Sequence, residues 1–170
     1  MPPLFAEVKA DERGVRRGLL TRRAILSVLA IVPLLALIGL LGQRATDSRA
    51  GSARATLELR APETVRGGLY FESRVTVRAL GRLQHPRLVL DPGWVEGMQV
   101  NSIEPQPQSE SSRGDRLVLA YSTLLPGNLL RVWLQFQVNP TNVGHRSYAL
   151  ELDDDATPIA RIGRFLTVLP

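Results

Sequence analysis

Residues 130–138 read LRVWLQFQV, and the reading of this stretch decides the fold. Leu130, Val132, Leu134, Phe136 and Val138 fall on one side of an extended chain, and Arg131, Trp133, Gln135 and Gln137 on the other. Successive side chains of a strand point to opposite faces, so this period of two marks a strand with one face buried and one wet. The same alternation runs through residues 56–60 and 71–79, the latter with Phe71, Val75, Val77 and Ala79 on one face. Leu88-Val89-Leu90 is a short buried run, and residues 98–100, 117–121, 148–152 and 164–168 complete seven or eight short strands. Turn formers stand between them, among them Gly67-Gly68, Asp91-Pro92-Gly93, Arg113-Gly114-Asp115, Pro126-Gly127-Asn128 and Asn139-Pro140. No stretch of this region carries a helical period. Strands with one apolar face each require a second layer to cover it, so residues 55–170 are predicted to fold as two packed antiparallel sheets.

The spacing of turns around these strands resembles bacterial surface Ig-like repeats. The stretch APETVRGG at 61–68, followed by alternation to Val77, resembles their opening, which places a Pro, a Val and a Gly before the second strand. Leu124-Leu125-Pro126-Gly127 before the long strand, then Pro140 and Gly144, resembles their later half. The similarity covers residues 56–169, in a single copy. It departs from the repeats at Ala79-Leu80-Gly81-Arg82, where they carry Asn-x-Gly. The resemblance implies an all-β, Ig-like antiparallel β-sandwich that serves as a structural or adhesive module rather than a catalyst.

Upstream of the sandwich the chain changes character. Residues 24–41 are eighteen positions without a charge, preceded by Arg22-Arg23. As a helix they span about 27 Å, close to the thickness of a bilayer core. A secretory signal has a shorter apolar core ending at a small-x-small cut, and Gln43 fits such a cut poorly. The run is apolar all round, whereas a core helix of a soluble protein keeps a polar face. Residues 24–42 are therefore predicted to be a single transmembrane helix. Lys9, Arg13, Arg16, Arg17, Arg22 and Arg23 precede it, so 1–23 form a basic cytoplasmic tail and the sandwich lies outside. Residues 21–26, TRRAIL, also resemble the twin-arginine export signature, which leads to the same side of the membrane. Residues 43–54, QRATDSRAGSAR, are small, polar and aperiodic, and are predicted to be a flexible stalk.

The formal charge of +5 does not mark a nucleic-acid binder. The tail 1–23 holds +3 of it, and residues 43–170 carry fifteen arginines against thirteen acids, a mixed surface. Twenty of the 21 basic residues are arginine, which points to a high-GC bacterial coding sequence and hence to a bacterial plasma membrane. The chain has no cysteine, so disulfides, thiolate nucleophiles and cysteine-held metals are excluded.

The candidates for chemistry are few. His85 and His145 are isolated and sit near turns, no G-x-S-x-G occurs, and the single lysine, Lys9, lies in the tail. Asp153-Asp154-Asp155 is the one acidic cluster and reads as a solvated hairpin turn, since calcium ligands alternate along a loop. No catalytic, metal-binding or cofactor-binding residues are assigned, and no cofactor is expected. Trp133 is the residue that invites a partner. Its in-phase neighbours Arg131 and Gln135 are polar, so the ring either stands free as an anchor or is covered by the stem of Arg131 or an adjacent strand. Trp94 reads as a plug at one end of the sandwich. The expectation is a non-enzymatic, membrane-anchored interaction module, accessory to a neighbouring membrane protein; the alternative is a module that binds envelope polymer or a small ligand.

Overall fold

The computed structural model describes residues 18, 20–31, 33, 34 and 43–170. The chain divides into two compact units, Met1–Gly42 and Gln43–Pro170. In the first, the described residues are helical, and Leu20, Ile25, Leu26, Val28, Leu29, Ile31 and Leu34 are all exposed. Among the described residues no helix is long and apolar enough to cross a membrane. Positions 32 and 35–42 of the predicted span, and most of the predicted tail, lie outside the described residues.

The second unit is a β-sandwich of eleven strands: β1 (Ala45–Gly51), β2 (Ala55–Pro62), β3 (Thr64–Arg66), β4 (Tyr70–Ala79), β5 (Pro86–Leu90), β6 (Met98–Glu104), β7 (Ser109–Arg113), β8 (Arg116–Ala120), β9 (Leu129–Val138), β10 (Gly144–Asp154) and β11 (Thr157–Leu169). One sheet has the order β1-β2-β4-β9-β6 and the other β3-β11-β10-β5-β8-β7. All pairings are antiparallel except β3 with β11.

The alternation seen in the sequence becomes an inside and an outside. β4 and β9 pair with Phe71 opposite Phe136, Val75 opposite Val132 and Val77 opposite Leu130. Val132, Leu134, Phe136 and Val138 are buried, as are Val75, Val77 and Ala79. Phe136 stacks on Phe71 at 5.2 Å and meets Trp94 at a tilt at 5.3 Å, and Trp94 meets Tyr148 edge-on at 4.6 Å. Trp94 thus lies in the core, and its indole N–H donates to the Ala149 carbonyl at 2.8 Å, which satisfies the polar end of a buried ring. Its turn lies close against β10. A Cβ on Gly93 would stand 2.2 Å from the Ser147 carbonyl oxygen, so only glycine fits there.

Three sequence expectations are corrected. Residues 45–51 are not a stalk. They form β1, which pairs residue for residue with β2 from Ala45 opposite Pro62 to Gly51 opposite Thr56. The alternation is invisible there because an edge strand built of Ala, Thr, Asp, Ser and Arg buries little. What holds it is partly Arg164, which occupies an inward position of β11 between Ile162 and Leu166 and is buried with them. Its guanidinium donates to the Thr46 carbonyl at 2.9 Å, to the Thr46 hydroxyl, and to Glu63 at 3.1 Å. A buried cation needs such partners, and here they tie one sheet to the edge of the other. Replacing Arg164 with Met should free β1: trypsin cleavage after Arg49 is expected to rise about tenfold, followed by mass spectrometry of the full chain. Unchanged cleavage would show that the β2 ladder alone holds the strand.

Between the strands read at 98–100 and 117–121 the sequence shows no further strand, but Ser109–Arg113 is strand β7, joined to β8 through Gly114 in the left-handed region (φ 62°). Every residue of β7 is exposed, so the strand carries no apolar signal. The aspartate triplet is not a solvated turn throughout. Asp153 and Asp154 end β10 and are buried, and only Asp155, at φ 57°, makes the turn into β11.

Candidate interaction surface

The outer face of the five-stranded sheet is assembled by the same alternation that builds the core. β9 presents Leu129, Arg131, Trp133 and Gln135 outward, all exposed. β4 presents Glu72, Arg74, Thr76 and Arg78, and β2 presents Thr56, Glu58 and Arg60. The registers set Arg74 opposite Trp133, Thr76 opposite Arg131 and Arg78 opposite Leu129, with Glu104 of β6 on the other side of Trp133. The three residues singled out in the sequence, Arg131, Trp133 and Gln135, therefore lie in one row on a central strand. Trp133 is 37% exposed, so its neighbours cover part of the ring and leave an accessible face.

Charge on this face is unevenly compensated. Arg49 pairs with Glu58 at 3.1 Å and Arg60 with Asp47 at 3.3 Å. Arg74, Arg78 and Arg131 make no ion pair or side-chain hydrogen bond among the described residues. They border a shallow depression of about 340 Å³ together with Thr76, Leu129 and Glu58. Arg74 and Arg78 carry no local sequence signal, because their nearness to Arg131 arises only when β4 pairs with β9.

The outer face of the six-stranded sheet is built differently. Val89, Val118 and Ala149 point outward by phase yet are buried. Arg116 and Arg161 both bond Glu151, at 3.0 and 2.7 Å, and Arg113 reaches Asp153 at 3.4 Å on the same face. These ion pairs close that face over its apolar strip. Phe165, 77% exposed and opposite Ser147, stands at its far side.

At the end of the sandwich the two buried aspartates behave oppositely. Burial and the nearby Glu151 hold the Asp153 carboxyl above its ordinary range, against the pull of Arg113. Burial acts the same way on Asp154, but the His85 backbone N–H at 2.8 Å and the Arg54 guanidinium outweigh it, and its pKa falls. His85 also meets Asp155 through Nδ1 at 3.0 Å, and His145 meets the Thr167 hydroxyl at 2.9 Å. Among the described residues no group of three His, Cys, Asp or Glu could hold a metal ion. Burial pushes the Tyr148 phenol up to about 12.

No protein-family model and no curated protein sequence matches the chain. Among solved structures, the chain is similar to a non-cellulosomal cohesin from the hyperthermophilic archaeon Archaeoglobus fulgidus, with TM-score 0.42, 17% identity, and 74% of this chain and 93% of that one covered. It is also similar to CaCohA2 from Clostridium acetobutylicum, with TM-score 0.43, 12% identity and coverage of 75% and 93%. A third similar structure is AvmM, which catalyses macrocyclization in alchivemycin A biosynthesis, with TM-score 0.41, 9% identity and coverage of 76% and 92%. A catalyst stands among these neighbours, and the likeness assigns no activity to this chain.

Proposed function

We propose that this protein is a non-enzymatic interaction module of the bacterial envelope, with an Ig-like sandwich held outside the plasma membrane by the helix at 24–42. It binds a neighbouring membrane protein through the outer face of its five-stranded sheet. The observation that carries the reading is Trp133, a partly exposed aromatic ring in a row with Arg131 and Gln135 on a central strand. Aromatic and arginine side chains are the residue types that anchor protein interfaces. The anchor is supported by the uncharged run at 24–41 behind a basic segment, and by the exposed apolar side chains of the described helix. In sequence only Gln43 and Arg44 separate the span from β1, which favours a partner in the same membrane, met at high effective concentration. The depression bordered by Arg131 is lined mostly by charged and polar groups rather than the apolar walls of a small-molecule site, which favours a protein over a small ligand.

Trp133→Ala tests this. The variant should keep its melting temperature within a degree or two, as a surface change, while co-purification of a membrane partner from detergent-solubilised membranes weakens about tenfold. A large fall in melting temperature would make the ring part of the fold, and undiminished co-purification would remove Trp133 from the interface. Labelling of introduced cysteines in intact cells tests the topology: Ser52→Cys should react with an impermeant maleimide and Ala10→Cys should not.

A further inference from the structure

Arg74, Arg78 and Arg131 form a cluster in which none of the three makes an ion pair among the described residues, although Glu58 borders the same depression. We propose that this cluster binds an acidic, extended segment of a protein partner, with the three guanidinium groups taking its carboxylates. The inference rests on the reading of this face as the interface and adds the chemistry of what it binds.

The register carries the argument. Arg131 lies opposite Thr76, midway between Arg74 and Arg78 on the neighbouring strand. Diagonal neighbours across a strand pair stand about 7–8 Å apart, so Arg131 is that close to both of the others. Three like charges in one patch repel each other, and an anion removes that repulsion. The same face shows the contrast, because Arg49 and Arg60 each have an acid of their own. Leu129 and Trp133 stand on either side of Arg131 along β9, at 38% and 37% exposure, so apolar surface flanks the cationic centre.

The spacing fits an extended chain. Arg74 and Arg78 are four strand residues apart, about 13–14 Å. A peptide in β conformation repeats its side chains at the same interval, so acids at every second position of such a segment can meet the cluster in step. Guanidinium–carboxylate pairing is charge-assisted and can be bidentate, which gives such a contact geometry as well as attraction. Anionic lipid headgroups offer the same charge without that order. Glu58, Glu72 and Glu104 share the face, and a uniformly negative surface would meet them as well as the arginines.

The test uses the full chain in non-ionic detergent and a fluorescent synthetic peptide alternating Glu with Leu, read by anisotropy. Arg74→Gln and Arg78→Gln should each weaken binding about tenfold, added salt should weaken it steeply, and Arg→Lys should restore part of it. The same peptide with Gln for Glu should not bind. Equal affinity of the Gln peptide, or no effect of the two substitutions, would overturn the proposal. So would arginine-dependent binding seen only with vesicles containing phosphatidylserine. If Trp133→Ala abolishes capture of the membrane partner while both Arg→Gln variants capture it normally, the interface stands and the acidic segment falls. If the arginine variants lose the peptide and Trp133→Ala loses neither peptide nor partner, the acidic segment stands and the Trp133-centred reading falls.

Discussion

Phe136→Ala is expected to destabilise the sandwich by about 3–5 kcal/mol, the range for deleting a buried aromatic ring. Phe136 is fully buried in β9 and its ring lies between those of Phe71 and Trp94. Removing it deletes both ring contacts and leaves a cavity between two sheets. β4 and β6 flank the strand and hold its backbone, so the gap cannot simply close. Gln135→Ala, one residue away on the outer face, should cost within about 0.5 kcal/mol. Denaturant unfolding of the full chain, followed by tryptophan fluorescence, measures both, since the ring of Trp94 reports on the packing of Phe136 itself. Equal costs for the two variants would mean that the alternation in residues 130–138 does not separate core from surface.

That alternation was legible because β9 is a central strand with one dry and one wet face. The physics that makes such a strand stable also writes a period of two into it. β4 and β2 were legible for the same reason, and so was the place of Arg131, Trp133 and Gln135 on one face. The edges were not. β1 and β7 are terminal strands of their sheets, and they are held by backbone pairing and by polar contacts to distant residues, neither of which writes an apolar period into the sequence. Arg164 shows the same limit inside a strand. By composition it belongs outside and Phe165 inside, yet the chain does the reverse: Arg164 is buried and Phe165 exposed. The partners that settle its phase, Thr46 and Glu63, lie about a hundred residues away in sequence, at separations of 118 and 101.

The proposed interaction surface divides along the same line. Local pattern placed Trp133 and its two neighbours outward, but the arginine cluster is a product of pairing. Arg74 and Arg78 look in sequence like any polar residues on the wet side of a strand. Only the β4–β9 register turns them into a patch with Arg131. On the outer face of the other sheet Arg113, Arg116 and Arg161 are held by Glu151 and Asp153. What distinguishes the two faces is therefore not charge content but whether each charge has a fixed partner, a property of tertiary geometry alone.

The aspartate pair offers the sharpest test of that geometry. Asp154→Asn is expected to destabilise the protein at neutral pH by about 2–3 kcal/mol, the scale for hydrogen bonds to a charged group. Its carboxylate accepts the His85 backbone N–H and a hydrogen bond from Arg54, which anchors the start of β5 and the β1–β2 turn to the end of β10. Because the folded pKa of Asp154 is lowered, the folded state holds its proton less tightly than the unfolded chain does. Its contribution is therefore present above the unfolded value and is lost as pH falls through the folded one. Asp153 has the opposite sign. Its folded pKa is raised, so its contribution is most favourable below the unfolded value and declines as pH rises through the folded one. Asp153→Asn should accordingly raise the melting temperature at neutral pH, since it removes a charge that burial and Glu151 disfavour and leaves Arg113 in contact with water. Melting curves of the two variants and the parent chain from neutral pH into the acid range separate the effects. The Asp154→Asn deficit should shrink on acidification, and the Asp153→Asn gain should shrink with it. Parallel curves for adjacent aspartates would show that both side chains face solvent, as a hairpin turn of three acids would have them, and would overturn the buried placement on which their opposite signs depend.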